Sequence, residues 1–221
     1  MHIESLSIQV PDLNESSVRS MLSTLQKHIN KNQLQRAKHP DEPAKFMESE
    51  FALHAFMETL LLLATEPSLY PIIVSSGALP ALQGLLSHEN ADIVTDSLVL
   101  LSELTDPEGV EGDEEEDGQA ALVSALCSQS GLELVVSALR RLQDTPLQGD
   151  AGATSEEEGE SKAVDSGLAL MDHLLELQPE VSATMCQASG LLAWLLSNIA
   201  RAGAGSSSNR LYVSELLGSL L

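Results

Sequence analysis

The chain has 221 residues, of which 43% are hydrophobic and 3% aromatic, and its formal net charge is −22 at pH 7. This length suffices for a large single core or a short helical solenoid, and a core poor in aromatic residues favours packed helices. The strong negative charge argues against direct nucleic-acid binding, which needs a basic surface, and favours basic partners.

The first predicted elements are two helices that precede a set of repeats. Residues 1–13 are short and polar, and we expect a flexible N-terminus there. Apolar residues then recur at helical spacing and predict helices over 14–37 and 46–65, separated by two prolines that interrupt the helical pattern. We interpret residues 14–65 as an N-terminal helical cap, because a solenoid must shield the apolar end of its first repeat.

A Ser-Gly pair followed by a leucine-spaced helix occurs three times in the rest of the chain. The pairs begin at Ser76, Ser130 and Ser189. A fixed break before repeated amphipathic helices is typical of stacked helical repeats, and glycine suits the left-handed turn between two helices. The three predicted repeats cover residues 66–105, 119–178 and 179–221. Their predicted helices cover residues 67–77, 79–86, 91–105, 119–130, 132–143, 163–177, 179–189, 191–202 and 209–221.

Two acidic segments account for the unusual length of these repeats. Residues 106–118 join the first repeat to the second, and residues 144–161 form an insertion within the second. Both are rich in Asp, Glu and Gly and poor in apolar residues, so we expect acidic loops that do not pack. They are either plain solvated linkers or a source of long-range attraction for basic partners.

The sequence predicts no catalytic, cofactor or metal site. The six histidines lack metal-ligand spacing, and no phosphate-binding loop or nucleophile elbow occurs. The two cysteines, in apolar helical surroundings, are expected to be buried thiols. An enzyme would need a pocket that joins His173 or Cys127 to acidic groups. No apolar run is long enough to span a bilayer, so we expect no membrane partner.

Several motifs resemble known proteins. Residues 77–86, with the later run at 101–104, resemble the armadillo repeat. The runs at 45–50, 190–196 and 209–215 resemble the beta-catenin-like protein 1 family, and the likeness continues in order from about residue 13 onward. The resemblance implies an all-α, armadillo- or HEAT-like, right-handed superhelical solenoid.

The resemblance also implies a function. The family consists of nuclear, non-enzymatic armadillo proteins associated with the spliceosome, in the assembly called the Nineteen Complex, that bind basic nuclear-localisation-type segments of splicing factors. It has a Lys/Arg-rich N-terminal tail and further repeats that nothing here matches. We therefore expect a truncated third repeat, whose open C-terminal end could associate with a second copy. The alternative is a generic armadillo adaptor or transport module for basic cargo.

Acidic residues recur on one side of the third helix of each predicted repeat. In the first, four residues fall within about 60° of one another, opposite the apolar side. The resemblance implies that this side lines the concave groove, where carboxylates would attract basic segments. The candidate partner-binding residues are Asp92, Asp96, Val99, Glu103, Asp165, Asp172, Glu176, Tyr212 and Glu215. The alternative is an ordinary solvated helix face.

An importin-type groove would carry a ladder of Trp and Asn side chains on these helices. The corresponding positions hold Val99 and Glu103 in the first repeat, and Asp172 and Glu176 in the second. The ladder is therefore absent, and recognition by charge is the remaining hypothesis. The single tryptophan, Trp194, is interpreted as a packing residue, with a partner anchor as the alternative.

Overall fold

The protein folds as a solenoid of short helices. The structure is a computed structural model, and it describes residues 13–110, 112–127, 129–144, 154–188, 190–200 and 207–220. These ranges are 85% helical and contain no strand. The prediction of an all-α, armadillo-type fold is confirmed.

Eleven α-helices occur in the described ranges. The first five are α1 Glu15–Lys38, α2 Met47–Leu60, α3 Tyr70–Ser75, α4 Ala78–Leu85 and α5 Ala91–Glu103. The others are α6 Asp113–Leu126, α7 Gln129–Asp144, α8 Thr154–Leu177, α9 Val181–Gln187, α10 Leu191–Ala200 and α11 Ser207–Leu220. Short 3₁₀ turns precede α2, follow α2 and α5, and lead into α3.

The third helix of each predicted repeat packs on the third helix of the next repeat. The third helices α5, α8 and α11 form one continuous layer, with the α5–α8 contact the most extensive in the protein, and α2 extends this layer by packing on α5. The helices α1, α4, α7 and α10 form a second layer. Because each element meets its counterpart in the next repeat, side chains at matching positions of α2, α5, α8 and α11 lie on one surface.

Local sequence explains where these helices begin. Asn14 caps α1, since its Oδ1 accepts a hydrogen bond from the Ser17 backbone NH at 3.1 Å while Ser17 Oγ accepts one from the Asn14 NH. Gly77, with φ of 74°, makes the left-handed turn between α3 and α4, and Gly190, with φ of 88°, precedes α10. The glycine turn predicted from the sequence is therefore present at Gly77 and Gly190. The turn predicted at Gly131 is wrong, because α7 begins at Gln129 and this glycine lies in its first turn.

One apolar core runs through all these helices. It consists almost entirely of Leu, Val, Ile, Ala and Met side chains, as expected from the composition. Two of the few aromatic residues belong to it, because Tyr70 is 1% exposed and Trp194 is 4% exposed. The packing role of Trp194 is thereby supported over a surface anchor.

The acidic loop predicted over 106–118 is wrong for much of its length. Helix α6 begins at Asp113, so its acidic residues occupy the first turns of a helix. Carboxylates are favourable there because the helix dipole places partial positive charge at that end. The predicted insertion 144–161 is likewise helical over 154–161, the start of α8, for the same reason; residues 145–153 lie outside the described residues.

Some expectations are not tested by this structure. The flexible N-terminus falls on residues 1–12, which are outside the described ranges. The handedness of the superhelix, the role of 14–65 as a cap and the repeat boundaries stay predictions. In the part of the chain described here, no single helix is long and apolar enough to cross a bilayer; two sharply bent helix pairs reach that length and composition only when taken together.

Candidate functional site

Helix α5 provides the first row of candidate residues. Asn90 caps it, with its Oδ1 accepting from the Asp92 backbone NH at 2.8 Å. The apolar side of α5 is buried against the core. Because Asp92 and Glu103 lie on the opposite side, they are exposed to solvent, and Val99 is half-buried. Asp96 differs, because only 14% of its side chain is exposed.

Helices α8 and α11 provide the next two rows. Asp165 and Glu176 are exposed on α8, and Asp172 between them is half-buried. On α11, Glu215 is exposed and Tyr212 is half-buried. We call the predicted carboxylates of α5, α8 and α11, without Asp96, the carboxylate face. Its members are Asp92, Glu103, Asp165, Asp172, Glu176 and Glu215.

A contact between Tyr212 and Asp172 joins the rows of α8 and α11. The Tyr212 hydroxyl lies 3.4 Å from Asp172 Oδ2, where it donates a long hydrogen bond. Burial, together with the negative charges of Asp172, Glu215 and Asp165, raises the pKa of Tyr212 to about 12. Three predicted carboxylates therefore act on one phenol, which places these residues in one electrostatic neighbourhood.

A second set of contacts fixes α8 against α5. His173 Nδ1 lies 3.1 Å from the Ser102 carbonyl oxygen and 3.3 Å from Thr105 Oγ1. Near the other end of the two helices, burial raises the pKa of Asp96, and the ammonium group of Lys162 on α8 acts on this carboxyl in the opposite direction. The earlier residue of α8, Lys162, thus lies near the earlier residue of α5, Asp96, and the later residue His173 lies near Ser102. The two helices therefore run parallel, and their carboxylates lie side by side.

His54 of α2 binds Asp96. Its Nδ1 lies 2.5 Å from Asp96 Oδ2, and the hydrogen bond with Asp96 raises the pKa of His54. Burial raises the pKa of Asp96, and this effect outweighs the opposing one of His54. Asp96 is therefore a partly buried link between two helices rather than an open carboxylate of the face.

The structure thus brings most of the predicted residues together. The six members of the carboxylate face lie on three adjoining helices, Tyr212 bridges two of them, and Val99 lies among them on α5. Asp96 is turned toward α2. The sequence analysis did not select His54 or Lys162, although His54 would follow from treating α2 as the counterpart of α5 instead of as a separate cap.

An enzyme would depend on Cys127 or His173, and the structure gives the surroundings of each. Burial raises the pKa of the Cys127 thiol to about 11, which keeps it protonated and weakly nucleophilic. His173 contacts Ser102 and Thr105 in the helix packing described above. Within the described residues, no group of His, Cys, Asp and Glu side chains could hold a metal ion. A small crevice between α7, α8, α9 and α10 is lined by Leu, Val and Met side chains.

Comparison with known proteins gives a consistent result. Residues 4–221 match the family described as "Catenin-beta-like, Arm-motif containing nuclear". Over 209 residues, 95% of this chain, the sequence is 37% identical to Beta-catenin-like protein 1 of Rattus norvegicus and to that of Homo sapiens. It is 29% identical to the Beta-catenin-like protein 1 homolog of Schizosaccharomyces pombe. The match covers 34% of each relative, so this chain spans about a third of their length.

Proposed function

Because the chain belongs to the catenin-beta-like family of Arm-motif nuclear proteins, we propose that it is a nuclear, non-enzymatic binding scaffold associated with the spliceosome. In this role it holds basic, nuclear-localisation-type segments of splicing factors against the carboxylate face. The resemblance supports the setting, and the structure supports the binding surface.

The observation that carries the binding proposal is the alignment of carboxylates across three stacked helices. Helices α5, α8 and α11 each contribute at least one exposed carboxylate to one layer. Lysine and arginine side chains of an extended segment could pair with several of them in turn. The net charge of −22 adds long-range attraction that speeds the encounter with a basic segment.

The kind of recognition follows from the chemistry of the face. It offers carboxylates, one phenol and the small side chain of Val99, without the Trp and Asn ladder that would stack on and bond to a bound peptide backbone. Each solvent-exposed pair contributes about 0.2–1 kcal/mol and weakens as salt screens it. Binding should therefore need several basic residues and fall steeply with ionic strength.

The test removes the charge of four exposed members of the carboxylate face. We define the face variant as Asp92→Asn, Glu103→Gln, Glu176→Gln and Glu215→Gln. Four lost pairs should weaken binding of a lysine-rich peptide by about tenfold or more, as measured by titration calorimetry at moderate salt. Asp96 is left unchanged because it links α2 to α5.

A matched control separates the face from net charge. The control variant removes the same number of carboxylates at exposed sites outside the layer, on α6 and in the turn after α1. Its substitutions are Asp41→Asn, Asp113→Asn, Glu116→Gln and Asp117→Asn. It should bind the peptide within about twofold of the unmodified chain at moderate salt. Equal losses in the two variants would refute the face as the binding surface.

A general adaptor for basic cargo is the second candidate. The lack of ladder residues at Val99 and Glu103 favours it, because recognition by charge alone discriminates poorly between basic sequences. A panel of unrelated nuclear-signal peptides distinguishes the two. The scaffold predicts tighter binding to segments from splicing factors, whereas the adaptor predicts similar affinity for all of them.

A further inference from the structure

Helix α2 carries two of the large apolar side chains that are exposed in the described residues. Phe51 is 66% exposed and Met47, one turn earlier, is 49% exposed. The other two phenylalanines are accounted for by packing, because Phe46 is 7% exposed and Phe56 stacks on His28 with ring centroids 5.1 Å apart. Phe51 is therefore the one exposed phenylalanine of the three, and with Met47 one turn away it forms a small apolar surface open to a partner.

The contacts between α2 and α5 place this pair beside the carboxylate face. Asn90 Nδ2 donates to Glu50 Oε2 at 3.0 Å, and His54 Nδ1 lies 2.5 Å from Asp96 Oδ2. Residue numbers thus rise together, so α2 and α5 run parallel. Asp92 precedes Asp96 by one turn of α5 and acts electrostatically on His54, which follows Phe51 by three residues on α2. Asp92 is therefore close to the stretch of α2 that carries Phe51.

A second carboxylate flanks the apolar pair. Glu58 is exposed one turn beyond His54, on the side of α2 that also carries Met47 and Phe51. Both Glu58 and Asp92 act electrostatically on His54. Two negative charges therefore lie near the apolar pair, at the end of the layer formed by α2, α5, α8 and α11.

We propose that Met47 and Phe51 form an apolar anchor site that binds an aliphatic side chain of a basic segment, whose neighbouring Lys or Arg residues pair with Asp92 and Glu58. This rests on the proposed function and adds to it a preference for basic segments that contain a leucine-like residue. The ring of Phe51 can also contact the stem or the charge of a bound lysine or arginine.

The charges favour this occupant over a second copy of the chain. Two apolar side chains bury far less than the roughly 1,200 Å² of a stable interface, so the anchor must act together with ion pairs. Another chain of net charge −22 would be repelled by Glu58 and Asp92, whereas a cationic segment is attracted. The same argument opposes an acidic partner.

The test compares two lysine-rich peptides that are identical except for a central leucine in one and alanine in the other. The unmodified chain should bind the leucine peptide about fivefold more tightly, since burying part of a leucine is worth that much. Phe51→Ala should remove this difference while still binding both peptides. Leu34→Ala should preserve it, because Leu34 is also 52% exposed but lies on α1.

The outcomes separate this inference from the proposed function. Equal affinity of the unmodified chain for the two peptides would overturn the anchor and leave binding by charge intact. Failure of both peptides to bind would overturn the proposed function itself. Sedimentation provides one more check: if Phe51→Ala converts a dimer into a monomer, the occupant is a second copy and the anchor for basic segments is wrong.

Discussion

The contact between His54 and Asp96 changes the interpretation of the acidic residues on α5. On a helical wheel, Asp96 lies with Asp92 and Glu103 and counts as a third open carboxylate. In the structure its side chain is 14% exposed and is held by His54. Asp96 therefore interacts mainly within the protein, and the proposed attraction for a basic partner on α5 depends on Asp92 and Glu103.

The pKa values of His88 and His54 are shifted in opposite directions, which predicts opposite effects of pH on stability. Burial, with help from the charge of Arg36, lowers the pKa of His88, so the folded chain binds a proton there less readily than the unfolded chain. The contribution of His88 to stability therefore rises as pH rises toward the unfolded pKa of 6.5. The hydrogen bond with Asp96 raises the pKa of His54, so its contribution is complete below 6.5 and is lost at higher pH.

Thermal unfolding of single variants isolates these effects from the many carboxylates. The advantage of the unmodified chain over His54→Gln should shrink as pH rises from about 6 to 8. Its advantage over His88→Gln should instead grow between about pH 5 and 6.5. A difference that does not change with pH for either variant would contradict the assigned role of that histidine.

Periodicity predicted which side of each helix faces solvent, but it could not predict what lies across from it. The half-buried state of Asp172 depends on its neighbour Tyr212 from another helix. The burial of Asp96 depends on His54, 42 residues away in the chain. Such contacts are determined by how helices stack, and a single sequence contains no direct signal of that register.

At the scale of helices, the runs of acidic residues led to a wrong prediction of secondary structure. The sequence analysis treated acidic runs as loops because they cannot pack in a core. Helix α6 shows that they need not do so, since its acidic first turns remain at the surface while Leu122, Val123 and Leu126 are buried further along. Favourable interaction with the helix dipole and burial of the C-terminal half together explain why the helix begins at Asp113.

Gly77, at the junction of α3 and α4, and Gly84, within α4, provide a matched pair of stability tests. Gly77 has φ of 74° and open space around it, so Gly77→Ala should destabilise the fold by about 1–2 kcal/mol through backbone strain alone. Gly84 lies within α4, also with open space, and Gly84→Ala should stabilise by about 0.5–1 kcal/mol through helix propensity. Chemical denaturation measures both, and effects of equal sign would refute the role of the Gly77 turn.

At the scale of the whole molecule, repetition turns weak local features into one surface. A single exposed carboxylate has little affinity for anything, but stacking of α5, α8 and α11 places several of them in one layer. The repeated Ser-Gly pairs made this stacking predictable. The extension of the layer to α2 was not predictable, because no Ser-Gly pair occurs in the sequence before α2 and this helix was grouped with the cap.

The central claim is that a spliceosome-associated scaffold holds its partners through the carboxylate face. The most direct measurement is affinity purification from nuclear extract with quantitative mass spectrometry, using the tagged chain, the face variant and the control variant in parallel. We expect splicing proteins to be enriched with the chain and the control variant, and lost with the face variant. Recovery of the same splicing proteins with the face variant, or of none with the unmodified chain, would contradict the claim.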